Sequence, residues 1–191
     1  ISATLRSQGI SRLDGLIDNQ WTAQDLRDSL FTPQAHDLNA LNAHFEHYRL
    51  FPNNPQDVLA TEVTGTTDYE GSLAFSVGCH SGLNVPDEDM PSLQTGTDWS
   101  QAFLRQGATF IGNTGYGYGD SDLLAYSERL MALFTEALDD WDKGPQTVGR
   151  ALLQAKQRYY NSAAGASLSN YDEKVMLEAT LYGLPMLRVD M

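Results

Sequence analysis

Two periodicities run through the 191 residues. Short, unbroken apolar runs predict buried strands, and apolar positions recurring every three or four residues predict amphipathic helices. The first strand-like run covers residues 38–43 and ends in His44. The second covers 72–77 and breaks abruptly into Gly78-Cys79-His80-Ser81-Gly82, where the chain must turn. Residues 186–189 predict a short final strand. Helical patterns fill the intervals. Thr22 followed by Asp25 marks an N-cap with an acidic third position and opens a helix over residues 23–30. Asp98 caps a helix reaching Gln106, with Trp99, Phe103 and Leu104 on its inner face. A long helix begins at Asp122 and places Leu123, Leu124, Leu130, Met131, Phe134 and Leu138 in the core; residues 139–145 end it. Another spans 147–160 with Val148, Leu152 and Tyr159 inward, and a last one spans 171–182. Pro52 and Pro55 break structure, residues 55–60 make a helical turn, and 61–71, 85–97 and 165–169 read as loops or joints. Strands alternating with helices predict an α/β architecture with a mainly parallel sheet.

Composition narrows the function. The length fits one domain with a sizeable core. A net charge of −13 argues against non-specific nucleic-acid binding. No run of eighteen apolar residues occurs, so no membrane span is predicted. Cys79 is the sole cysteine, which excludes an internal disulfide framework.

Cys79 is also the centre of the candidate chemistry. A thiol at the tip of a buried strand, beside glycines that let backbone N–H groups approach a ligand, is placed to be a nucleophile. The bland alternative is a small buried hydrophobe. In a parallel sheet the strand ends of His44 and Cys79 share one edge, so imidazole and thiol can meet, and an imidazole neighbour lowers a thiol pKa. His47 lies close enough in sequence to compete with His44, which is favoured because it terminates the apolar run. His80 is adjacent to Cys79, and neighbouring side chains diverge, so it is a poor base. Asp37 is a weak candidate for an orienting carboxylate. A zinc set of Cys79, His44, His47 and His80 matches no common ligand spacing, so no metal is assigned. The glycines of residues 115–119 do not give a dinucleotide fingerprint, so no cofactor is assigned either. They read instead as a substrate-side loop with aromatic walls. The acidic run Asp87-Glu88-Asp89 reads as a solvated loop or as one wall of a substrate cleft.

The strand–His, strand–Cys order resembles the clan CD cysteine peptidases, which include caspases, legumains, separases, CHAT proteases and gingipains. Within these it is most similar to the gingipain-like C25 family and its CHAT relatives. Gly107-Ala108-Thr109-Phe110-Ile111-Gly112-Asn113-Thr114 resembles the strand following the helix of the catalytic cysteine. Tyr118-Gly119-Asp120-Ser121-Asp122 resembles the aromatic and acidic loop after it. Leu181-Tyr182-Gly183-Leu184-Pro185-Met186-Leu187-Arg188-Val189 resembles the closing segment, with Leu184 where Asp is usual. The pattern covers roughly residues 37–189.

The resemblance implies a caspase-like three-layer α/β sandwich with a mainly parallel sheet. Two strands usually precede the histidine strand, and residues 1–36 carry no convincing one. The expectation is therefore an N-terminal helical or connecting segment over 1–36 and the C-terminal part of a peptidase domain over 37–191. The missing strands would come from an N-terminal chain or domain of the same protein, with this chain one product of proteolytic processing. The implied activity is endopeptidase cleavage of a peptide or protein through a thioacyl intermediate. Cys79 is the nucleophile and His44 the base, and the N–H groups of Cys79 and Phe45 hold the oxyanion. Family members usually have glycine after the histidine. Phe45 in its place favours an alternative, a catalytically impaired domain acting as a binding or regulatory module; an acyltransferase or another thiol hydrolase is also open. An acidic pocket residue confers Arg or Lys preference in this family, and Tyr118, Asp120 and Asp122 stand in the matching loop. Asp122 is equally explained as the N-cap of its helix.

Overall fold

Residues 1–18, 20–33, 35–52, 56–86, 96–140, 144–163 and 168–189 are described in the computed structural model. The acidic run Asp87-Glu88-Asp89, Pro55 and most of the 165–169 joint lie outside them. In chain order the elements are α1 (Ser2–Ser7), α2 (Ala23–Leu30), β1 (Leu38–Ala40), β2 (His44–Glu46), β3 (Arg49–Phe51), β4 (Val58–Leu59) and β5 (Leu73–Phe75). There follow α3 (Trp99–Arg105), β6 (Thr109–Asn113), α4 (Tyr126–Leu138), β7 (Asp139–Asp140), β8 (Gly144–Pro145), α5 (Val148–Ala163), α6 (Asn170–Glu178) and β9 (Ala179–Tyr182).

The central sheet has the order β1-β5-β6-β9. β1, β5 and β6 are parallel, and β9 is antiparallel to β6. Alternation along the strands divides the interior into two cores. Ala74 and Phe110 face one side and join Leu26, Leu30, Phe45, Leu50, Trp99 and Phe103. Leu73, Phe75 and Ile111 face the other and join Leu130, Met131, Phe134, Ala151 and Tyr159. Helices therefore cover both faces of a mainly parallel sheet, the three-layer α/β arrangement that the caspase-like resemblance implies. β5 is buried on both faces, which is why it reads as a continuous apolar run. Aromatic pairs hold each layer: Phe103 stacks on Phe110 at 5.4 Å, and Phe75 meets Phe134 edge-on at 5.6 Å. Burying one such side chain contributes about 1.5–3 kcal/mol.

Several elements differ from the sequence expectation, each for a local reason. The apolar run before His44 does not continue as one strand. β1 stops at Ala40, and His44 opens β2 of a separate antiparallel sheet, β2-β3-β4. That sheet draws on residues between 44 and 59, where the sequence predicts breaks at Pro52 and Pro55 and a helical turn over 55–60. Val58–Leu59 is instead strand, because it pairs with β3, and the helical turn is a 3-10 turn at Ala60–Glu62. Phe45, Leu50 and Val58 are buried from one strand each, and Arg49 clasps the ribbon through Glu46 (2.9 Å) and Asp57 (2.8 Å). α4 begins at Tyr126 rather than Asp122. The Asp120 carboxylate accepts the N–H groups of Asp122 (2.8 Å) and Leu123 (3.1 Å), a side-chain turn that competes with the helix. Leu123 and Leu124, expected in the core, are consequently exposed, as is Leu104 on α3. The last helix ends at Glu178, and Ala179–Tyr182 forms the edge strand, so the final strand is β9 and not residues 186–189. Lys156 Nζ donates to the Ala179 carbonyl (2.7 Å) at this helix-to-strand change. α2, α3 and α5 match the expected positions, and Thr22 and Asp25 form a full capping box.

Candidate active site

Beyond β5 the chain makes a turn whose backbone is fixed from several directions. Ser76 Oγ accepts Gly78 N–H at 3.0 Å. Ser81 Oγ donates to the Gly78 carbonyl at 2.9 Å and accepts the Asn113 N–H at 3.2 Å. Asn113 Nδ2 donates to the Val77 carbonyl at 2.9 Å. His80 adopts a left-handed φ of 55°, and its N–H donates to the Gly115 carbonyl at 2.6 Å. For a non-glycine residue that conformation costs about 1–3 kcal/mol and persists only where its surroundings over-determine it. The His80 ring sits edge-on to Tyr116 at 4.7 Å. Cys79 is held at the tip of this turn, half-buried, and its Sγ lies 3.8 Å from the Gly117 carbonyl oxygen as a weak donor. Among the described residues, the Cys79 N–H has no hydrogen-bond acceptor, whereas its neighbours on both sides do.

The histidine segment is docked beside that turn. Leu41 N–H donates to the Phe75 carbonyl at 2.8 Å, and Asn42 Oδ1 accepts the Val77 N–H at 3.3 Å. β2 then alternates, with His44 exposed and Phe45 buried. The Phe45 ring enters the core, meets Trp99 edge-on at 5.5 Å and lies directly against Gly78. Phe45, standing where the resembling peptidases usually have glycine, thus packs its side chain into the core and does not line the cleft. Phe51 on β3 is the register partner of His44. His47 sits in the hairpin turn. Burial lowers its pKa, and the negative field of Asp98 and Glu46 opposes that shift only partly.

The glycine-rich loop after β6 forms the opposite side. A Cβ at Gly117 would overlap the Val77 carbonyl oxygen, so only glycine allows this approach to the cysteine turn. Tyr118 is clamped by Ser127: its N–H donates to Ser127 Oγ at 3.1 Å, and its carbonyl accepts the Ser127 N–H at 3.0 Å. Lys174 Nζ donates to the Tyr118 hydroxyl at 3.3 Å.

These three segments enclose a cleft of about 350 Å³. Asn42, Ala43, His44 and Phe51 form one wall, Val77, Gly78 and Cys79 the floor, and Gly117, Tyr118 and Gly119 the other wall. Asp18, Trp21 and Glu128 complete the lining. Three sequence candidates thus meet in one cavity: Cys79, His44 and Tyr118. Phe45 flanks it without lining it, and His47 lies outside. Asp120 and Asp122 are exposed and stand outside the lining, with the Asp120 carboxylate committed to its own turn. The acidic side chains at the cleft are Asp18 and Glu128. Glu128 occupies the first turn of α4. Placing the helix start four residues early obscured it, whereas Asp18 and Trp21 carry no motif. Among the described residues no group of three or more His, Cys, Asp or Glu side chains is arranged to hold a metal ion. Nor is any described helix long and apolar enough to cross a membrane.

The sequence model of peptidase family C25 matches residues 42–190, more than three quarters of the chain. Comparisons with curated proteins and with solved structures return no significant match.

Proposed function

Because the chain belongs to peptidase family C25, a family of cysteine peptidases, we propose that it is an endopeptidase acting through Cys79 and His44. The observation that carries this reading is their convergence: both line one cleft, reached from adjacent parallel strands. Cys79 Sγ, deprotonated by His44, attacks the scissile carbonyl carbon. A carbon–sulfur bond forms as the carbonyl π pair moves to oxygen. The Cys79 N–H, which has no acceptor among the described residues, is one donor to that oxyanion, and the backbone at Phe45 beside His44 is assigned the second. Losing one such donor typically lowers the rate about 10²–10³-fold. Collapse breaks the C–N bond, and His44 passes its proton to the leaving amine. Water, deprotonated by His44, then hydrolyses the thioester and returns the free thiol. The alternative of an impaired module rested on Phe45. Its ring fills the core against Gly78, which leaves the cleft open and supports an active enzyme.

For specificity the reading is a basic residue before the cut. Glu128 on the glycine-loop wall, beside Tyr118, supplies the carboxylate in place of Asp120 or Asp122. A cationic side chain entering the cleft pairs with this charge, whereas an acidic one is repelled. Profiling a peptide library tests both levels. Turnover after Arg or Lys is expected, abolished by Cys79→Ala and reduced most by Glu128→Lys. Turnover surviving Cys79→Ala removes the thiol mechanism, and preference for Asp before the cut removes the assignment of Glu128.

A further inference from the structure

We infer that Trp21 and Phe51 form an apolar subsite for the residue immediately after the scissile bond, so that the enzyme prefers a large aliphatic or aromatic side chain there. This rests on the Cys79–His44 reading. The argument begins with strand order. β1 leads to the histidine wall, β5 to Cys79 and β6 to the glycine loop, so the thiol stands between two walls of different composition. The glycine-loop wall carries Glu128. The histidine wall carries Asn42, Ala43, His44 and Phe51, and Trp21 and Asp18 complete the lining; its apolar surface is that of Ala43, Phe51 and Trp21. His44 must deliver its proton to the departing amine, so the residue that owns this amine lies on the histidine side of the thiol. Phe51 is the register partner of His44, which puts its ring beside the imidazole.

Both aromatic side chains are only partly buried, although each is firmly held. The Arg49 guanidinium covers one face of the Phe51 ring at 4.3 Å, and Arg49 is itself tied to Glu46 and Asp57. Trp21 immediately precedes the capping box of α2 and packs against the core that includes Leu26 and Leu30. α2 is in turn anchored by the Arg27–Glu62 ion pair at 2.6 Å and by the Tyr69 hydroxyl donating to the Leu30 carbonyl at 2.5 Å. The wall is thus rigid, aromatic and open to water on its cleft side. An apolar side chain of the substrate removes that surface from water, which favours binding in proportion to the area covered.

The test uses internally quenched peptides that are identical except after an arginine, where they carry Phe, Leu, Gly or Asp. A peptidyl-arginine methyl ester, which has no residue after the cut, is assayed with the same wild-type protein. The expected result is a kcat/KM at least about tenfold higher for Phe or Leu than for Gly. That ratio should fall toward one in Trp21→Ala and be largely kept in Trp21→Phe. Ester turnover with equal rates for Phe and Gly overturns the subsite while leaving the peptidase reading intact. No turnover of ester or peptide overturns the reading on which the subsite rests, cleavage after a basic residue through Cys79 and His44. The wild-type ratio needs no variant, so poor folding of Trp21→Ala does not shield the inference.

Discussion

Gly78→Ala should disable the enzyme through Phe45. A methyl group at Gly78 would come 2.8 Å from both Cβ and Cγ of Phe45, and nearer still to Cδ2. Carbon–carbon contacts are favourable at about 3.5–4.0 Å, so the ring must withdraw by roughly 1 Å. It has little room, being 4 % exposed and wedged against Trp99. The φ of Gly78 is not left-handed, so the added methyl carries no backbone penalty of its own and the overlap accounts for the effect. Overpacking of this kind costs about 1–3 kcal/mol. Phe45 adjoins His44, Gly78 adjoins Cys79, and a displacement of about 1 Å at reacting groups lowers rates about 100-fold. Urea unfolding and kcat/KM on a peptidyl-arginine substrate measure the two losses. Phe45→Ala in the same chain removes the Cγ and Cδ2 contacts, so the two losses should fall short of additive by about 1–2 kcal/mol in the double-mutant cycle. A Gly78→Ala protein as stable and active as the wild type, or a double mutant whose losses simply add, refutes the reasoning.

Glu178→Gln should stabilise the fold at neutral pH. Burial raises the Glu178 carboxyl above its ordinary 4.5, against the opposing fields of Lys174 and His80, and its Oε2 is buried without a hydrogen-bond partner. A raised carboxyl pKa supports stability fully below the ordinary value and loses that support as the pH rises through the raised one. The variant's advantage in Tm should therefore grow as the pH rises above the ordinary 4.5 and vanish in acid, and a constant difference across pH contradicts it. Asp98→Ala should cost about 3 kcal/mol by denaturant titration, because the buried carboxylate accepts from Asn84, Val85, Ser100 and Gln101. A loss under 1 kcal/mol would show that those donors find other partners.

The cysteine turn was legible because a strand buried on both faces is an unbroken apolar run and its end is marked by glycine. The position of His44 at the same cleft was foreshadowed by the run that precedes it, although the strand in that run is only three residues long and stops at Ala40. The ribbon that actually carries His44 was not, since strands of two or three residues are too short to show a period of two. β9 was hidden because Ala179 and Leu181 continue the apolar spacing of the preceding helix, and only pairing with β6 converts the segment to a strand. The start of α4 depended on one aspartate bonding its own loop, a competition that periodicity does not register. Trp21 and Glu128 reach the cleft through packing of distant segments, which spacing along the chain does not encode.

The most direct test of the dyad is covalent labelling of Cys79 by a peptidyl-arginine acyloxymethyl ketone, followed by intact mass. Since Cys79 is the sole cysteine, the mass change reports on one thiol. The account predicts a single adduct in the wild type, no adduct in Cys79→Ala, and labelling at least about 100-fold slower in His44→Ala than in His47→Ala. Equal labelling of the two histidine variants, or a wild-type thiol that reacts no faster than free cysteine, contradicts it.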